Sequence, residues 1–133
     1  MSKLFGTDGI RGVAGKPPLD VSTISRISHC LIRLGHRSFV IGRDTRTSGP
    51  WIEEILTQSL SQLGAQVHSV GVLPTPAISF MCRELEFDTG VIISASHNIF
   101  SDNGLKIFAG NGLKLSRDKE NEIKVLLDSD EET

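Results

Sequence analysis

Val21, Ile24, Ile27, Leu31 and Leu34 recur at helical spacing after Asp20 or Ser22 as a capping residue, and Gly35 follows as a stop. The pattern predicts a helix with one apolar face. Ser38 to Gly42 is short and apolar, which fits a buried strand, and it opens directly into the polar loop Arg43 to Gly49. Pro50 suits the first turn of a second helix, whose stripe is Ile52, Ile55, Leu56, Leu60 and Leu63 and whose stop is Gly64. Ala65 to Val72 reads as a strand, Leu73 to Pro76 as a stiff turn and Ala77 to Leu85 as a short helix. Thr89 to Ser94 reads as a third buried strand. Leu105 to Ala109 and Leu113 to Leu115 flank Gly110-Asn111-Gly112 as the arms of a hairpin. Ser116 caps a last helix through Leu127, with Ile123, Leu126 and Leu127 as a thin apolar face, and the acidic end from Asp128 to Thr133 is expected to fray. Strands alternating with helices define an α/β fold: a three-layer α/β/α sandwich around a mainly parallel mixed sheet with an antiparallel edge hairpin.

Composition narrows the setting. A chain of 133 residues suits one domain, and 38% hydrophobic with 23% charged residues is ordinary for a globular protein. The formal net charge of -2 provides no basic field for nucleic acid or an anionic membrane, so any anion site must be local. No apolar stretch approaches the roughly 20 residues needed to cross a bilayer, and Met1 to Lys16 lacks the apolar core of a secretory signal. A cytoplasmic placement is expected. Cys30 and Cys82 lie in helical segments with no CxxC or Cys/His metal spacing, which predicts two buried reduced thiols.

Functional loops of open α/β sheets collect at the carboxyl ends of the strands. Two segments sit there. In Gly42 to Gly49, two Arg with hydroxyls and Gly lead into a helix, which suits a phosphate or carboxylate; a purely structural arrangement, with Arg43 paired to Asp44 and Ser48 capping the helix, explains the composition equally well. Ser94 to Lys106 gathers Ser, His, Asn, Asp and Lys between two strands. Adjacent Ser96 and His97 do not make a hydrolase pair, because neighbours in an extended loop point in different directions, and there is no GxSxG elbow. A third segment, Gly6 to Gly12, has three Gly in seven residues around Thr7, Asp8, Ile10 and Arg11, either an anion-approach loop or a flexible turn. A generic nucleotide-binding module is disfavoured, since neither GxxxxGK[ST] nor GxGxxG is present.

Lys3 to Gly12, Gly42-Arg43-Asp44-Thr45-Arg46, Ser94-Ala95-Ser96-His97-Asn98 and Asn103-Gly104-Leu105-Lys106, in this order and spacing, together resemble the α-D-phosphohexomutase family. The resemblance covers essentially the whole chain, residues 1–133, but only the first of the family's four domains, and is strongest to the bacterial branch acting on glucosamine phosphate. It implies that Ser96 carries the transferred phosphoryl group, with Arg11, His97 and Lys106 around it. Lys106 is then the candidate for proton transfer with the sugar hydroxyl, and His97 shares that work or holds a phosphate oxygen. Arg43, Arg46 and Asn98 organise the loop and the phosphate field, with Asn98 and Asp102 holding the loop through side-chain to backbone hydrogen bonds. Ser94 is the nearest rival nucleophile.

The same resemblance implies Mg²⁺ bound through the Ser96 phosphate and by Asp residues of a second domain, with a sugar 1,6-bisphosphate as activator. The partners it implies are a phosphosugar substrate and the remaining mutase domains, with self-association through exposed interdomain surface. Because no Asp-Gly-Asp-x-Asp-Arg loop is present in these residues, the 133-residue chain by itself is not expected to turn over. The family usually has Pro where this chain has Ile99, which is expected to leave the loop more mobile.

Overall fold

The computed structural model describes residues 4–6, 9–95 and 98–131, with side chains described up to residue 129. Among these residues the order is β1 (Ile10–Val13), α1 (Val21–Arg33), β2 (Ser38–Arg43), α2 (Gly49–Gln62), β3 (Gln66–Val72), α3 (Thr75–Glu84), β4 (Thr89–Ile93), β5 (Asp102–Ala109) and α4 (Arg117–Glu131). The strands form one mixed sheet in the order β1-β5-β4-β2-β3. β2 pairs in parallel with β3 and β4, and β5 runs antiparallel to both β4 and β1.

Alternation along the strands separates two cores. Phe39, Ile41, Val91, Ile93, Leu105 and Ile107 face a layer made by α1, α2 and α4. Val40, Ile92 and Phe108 face Ile78 and Cys82 of α3 on the other side. The predicted three-layer sandwich therefore forms, with three helices on one face and one on the other.

The apolar face of α1 is the predicted one, with Ile24, Ile27, Cys30 and Leu31 buried. Asp20 occupies the position before the helix in extended conformation, but its side chain makes no cap hydrogen bond. Gly35 ends the helix with φ of 98°. The chain reverses there, and His36 N–H donates to Leu31 O at 3.1 Å, a closure that favours a residue without Cβ. Arg26 Nη2 donates to Leu127 O at 2.6 Å and ties α1 to α4.

Several boundaries differ from the sequence reading. α3 begins at Thr75, because Pro76 sits within its first turn, where a missing N–H costs nothing. The turn at Gly110 to Gly112 forms, with Ala109 N–H donating to Leu113 O at 2.8 Å. Its returning arm pairs with the end of β5 through the Lys114–Phe108 bridge and Leu115 N–H donating to Ile107 O at 3.1 Å, so the hairpin forms over a short stretch, and β1 extends the antiparallel edge along the start of β5. α4 continues to Glu131 past the expected end at Leu127, and its start is capped as predicted, Lys119 N–H donating to Ser116 Oγ at 3.2 Å.

Both cysteines are buried and outside any disulfide. Burial pushes the Cys82 thiol up to about 11, with Asp88 adding to the shift. Cys82 is thus a thiol, not a thiolate, at neutral pH and should resist alkylation until the protein is unfolded, a contrast that mass spectrometry with iodoacetamide measures directly.

At the opposite end of the sheet from the loops, the His36 ring contacts the hydroxyl of the fully buried Thr89. Burial lowers the His36 pKa; Asp88 opposes that and Lys119 reinforces it. The folded state therefore binds this proton less readily than the unfolded chain, so stability is complete above about pH 6.5 and declines as the pH falls below it. Thermal unfolding should shift to lower temperature between about pH 7 and pH 5.5, and His36→Gln should flatten that dependence. An unaltered slope in the variant would assign the effect to other groups.

Candidate functional site at the carboxyl edge of the sheet

The sheet delivers β2 and β4 side by side, Arg43 opposite Ile93, so the loops that follow them meet. Asp44 N–H donates to Ile93 O at 3.1 Å, joining the two loops at their roots. Above that joint lies Arg46. Its Nη1 donates to Ile99 O at 2.5 Å and Asp102 O at 3.2 Å, and its Nη2 donates to Asn98 O at 2.9 Å and to Ala95 O. One guanidinium thus satisfies four main-chain acceptors on both sides of Ser96 and His97. Those two residues, on which the central sequence expectation falls, lie outside the described residues, as do Thr7 and Asp8.

Arg46 is aimed by Asp44. The carboxylate faces Arg46 Nε at 3.4 Å and accepts from the Arg46 backbone N–H at 3.1 Å and from Ser94 Oγ at 2.8 Å. The expected pair of Arg43 with Asp44 is not formed: Arg43 lies 3.5 Å from Glu53 of α2. A polar residue in a helix one turn beyond a loop gives no sequence signal for that pairing. Ser48 makes no side-chain cap for α2, and its hydroxyl accepts from Asn103 Nδ2 at 2.8 Å.

Asn98 holds the loop differently from expectation. Among the described residues its side-chain partners are side chains: Oδ1 accepts from Arg11 Nη1 at 2.5 Å and Nδ2 donates to Asp102 Oδ2 at 3.0 Å. Arg11 reaches it from β1, a strand that the glycine-rich Gly6 to Gly12 segment concealed. Arg11 stands opposite Gly104, which lies on the same sheet face as Lys106. α3 packs chiefly against β4 and β2, so the half-buried Arg11 and Lys106 occupy the part of this face nearest the β1 edge. As diagonal neighbours across the β1–β5 pair they form a local cationic strip on an acidic chain.

Gly104 makes this approach possible. A Cβ there would stand 2.8 Å from both Ile10 O and Ser94 O and 3.1 Å from Arg11 Cγ. Gly104→Ala should lower stability by roughly 1–3 kcal/mol through overpacking, read from the urea midpoint, and wild-type stability would refute the close approach.

Among the described residues no three His, Cys, Asp or Glu side chains come together as a metal site. Asp44 and Asp102 are both engaged within the loop. These residues do not form a Mg²⁺ cage. No helix among the described residues is long and apolar enough to cross a membrane.

Fold and site together define an α/β sandwich domain with an arginine-braced loop beside a cationic strip at the carboxyl edge of its parallel strands. The family model described as phosphoglucomutase/phosphomannomutase, alpha/beta/alpha domain I, matches residues 2–133, and the chain belongs to that family. A phosphoglucosamine mutase of Syntrophobacter fumaroxidans is 45% identical over 132 residues, covering 96% of this chain and 29% of the relative. A phosphoglucosamine mutase of Buchnera aphidicola is 47% identical over 128 residues, covering 93% and 28%. The crystal structure of a phosphoglucomutase/phosphomannomutase family protein from Burkholderia thailandensis superposes with a TM-score of 0.78 at 28% identity, covering 96% of this chain and 30% of that one. The chain therefore spans less than a third of the length of these relatives.

Proposed function

We propose that this chain is the phosphoryl-carrying first domain of a phosphoglucosamine mutase, which interconverts glucosamine 6-phosphate and glucosamine 1-phosphate. The observation that carries the reading is the bond from Arg11 to Asn98, which ties the cationic strip to the loop two residues beyond Ser96. In the forward half-reaction the Ser96 Oγ–P bond breaks and a sugar hydroxyl oxygen bonds to the phosphorus. The hydroxyl proton passes to Lys106 or His97, and Ser96 regains a proton. The bisphosphate then turns over in the site, and the reverse transfer returns its other phosphate to Ser96. Arg11, and Lys106 once protonated, would offset charge spread over the transferring phosphoryl oxygens, while Arg43 and Arg46 shape the surrounding loops.

Mg²⁺ supplies charge neutralisation when bound through the serine phosphate, with its other ligands drawn from a second domain. A sugar 1,6-bisphosphate charges Ser96. Glucosamine specificity is favoured by the names of relatives at 45% and 47% identity over the phosphomannomutase or phosphoglucomutase alternative. The exposed Phe80, Ile99 and Phe100 supply apolar surface for the remaining domains or for self-association, and buried reduced thiols are in keeping with a reducing cytoplasm.

Incubation with glucose 1,6-bisphosphate and Mg²⁺ should add one phosphate by intact mass, while the 133 residues alone should not isomerise glucosamine phosphate. Absence of uptake would favour a non-catalytic domain that binds phosphosugar or a partner weakly.

A further inference from the structure

We propose that Asp44 and Ser94 are positioning residues that set, through Arg46, the course of the main chain at Ala95 and Asn98 on either side of Ser96. The inference deepens the phosphoryl-transfer reading and rests on it for its catalytic half. Its structural half stands on contacts already described. Asp44 accepts from three directions: the Arg46 backbone N–H, the Ser94 hydroxyl and, across an ion pair, Arg46 Nε. The first fixes the start of the β2–α2 loop and the second fixes the end of β4. The third sets the plane of the guanidinium.

That plane decides which carbonyls the guanidinium reaches. Arginine presents its donors in a rigid fork, so rotating the group moves all of them together. With Nε held against Asp44, Nη1 and Nη2 reach Ile99 and Asp102 on one hand and Ala95 and Asn98 on the other. Ala95 and Asn98 immediately flank Ser96 and His97, and Ala95 is fully buried. Arg46 is only 14% exposed and Asp44 30% exposed, so water competes poorly for the guanidinium but has some access to the carboxylate. Losing the Asp44 charge leaves Arg46 in place and removes what orients it. The Ser94 hydroxyl is donated to the same carboxylate, which gives it a structural duty distinct from nucleophilic attack.

The prediction separates positioning from bulk stability. Asp44→Asn preserves shape while removing the charge. It should raise amide hydrogen exchange across residues 94–102 while leaving α1 and α4 protected as in the wild type. It should also slow phosphate uptake from glucose 1,6-bisphosphate by roughly 10- to 100-fold at saturation, with little change in the half-saturating concentration, because geometry and not binding is lost. Asp44→Glu should recover part of the rate by restoring the charge. Ser94→Ala should show a smaller loss and add nothing in the Asp44→Asn background, since both act through one carboxylate.

Wild-type exchange in the 94–102 loop of Asp44→Asn would overturn the proposal, as would an equal rise across α1 and α4. Slowed uptake without loosening of the loop would overturn it too, by giving Asp44 a direct chemical role. If the wild-type chain accepts no phosphate, the mutase reading fails, and the exchange comparison still decides whether Asp44 aims the loop.

Discussion

Arg46→Ala is expected to release the loop around Ser96, lowering stability by roughly 2–4 kcal/mol and phosphate uptake by about a hundredfold or more. The substitution removes donors from the carbonyls of Ala95, Asn98, Ile99 and Asp102 at once and leaves Asp44 without its cation. Ala95 is fully buried, so its carbonyl is the acceptor least able to find water, whereas those of the exposed Ile99 can be rehydrated. This difference keeps the stability cost below a simple sum over four bonds. Arg46→Lys should recover little, because a single ammonium has three donors at one point and cannot span acceptors that the guanidinium fork reaches. Urea unfolding gives the first quantity and time-resolved intact mass the second. A lysine variant with wild-type stability and uptake would show that charge alone suffices and that the fork has no special role.

The second large effect is at Ser96. Ser96→Ala should abolish phosphate uptake outright, since the family resemblance assigns the transferred phosphoryl group to this hydroxyl. Ser94 is the nearest alternative, and its hydroxyl is committed to Asp44 at 2.8 Å. Ser94→Ala should therefore retain uptake at a reduced rate, consistent with a residue that shapes the loop. The contrast between these two alanine variants separates nucleophile from support more cleanly than either alone. Uptake that survives Ser96→Ala and disappears in Ser94→Ala would exchange their roles.

Much of this organisation is legible from sequence. The stripes of the first two helices carry their own period, and Ser38 to Gly42 and Thr89 to Ser94 are apolar runs bounded by polar loops, so α1, β2, α2 and β4 follow from local pattern. β1 does not, because Ile10-Arg11-Gly12-Val13 is short and glycine-containing, and it becomes a strand only through its register with residues 102–105. Similarly, Asp102-Asn103-Gly104 has the composition of a turn but begins β5, since Gly104 must pass between two carbonyls. Of the segments that pair with that strand on its outer side, Leu113 to Leu115 carry the residue types of a hairpin arm and are legible, whereas β1 is not.

The site divides in the same way. Arg11, Arg46, Asn98 and Lys106 can be singled out by residue type and family resemblance. The direction of each side chain cannot, because it depends on contacts more than 40 residues apart, such as Arg46 with the 95–102 loop and Arg11 with Asn98. Arg46 as an organiser of that loop agrees with the structural expectation, while Arg43 pairs with Glu53 instead of Asp44. Ile99, in place of the Pro usual in the family, keeps its carbonyl on Arg46, so the expected gain in loop mobility is opposed by a bond that lies outside local backbone preference.

The central claim is that Ser96 carries the phosphoryl group, and the most direct measurement is peptide mapping of the chain after incubation with glucose 1,6-bisphosphate and Mg²⁺. A single phosphate on Ser96 is expected, removed when a glucosamine monophosphate acceptor is added together with the later domains of a mutase. Phosphate on Ser94 or elsewhere, or a chain that remains unmodified, would contradict it.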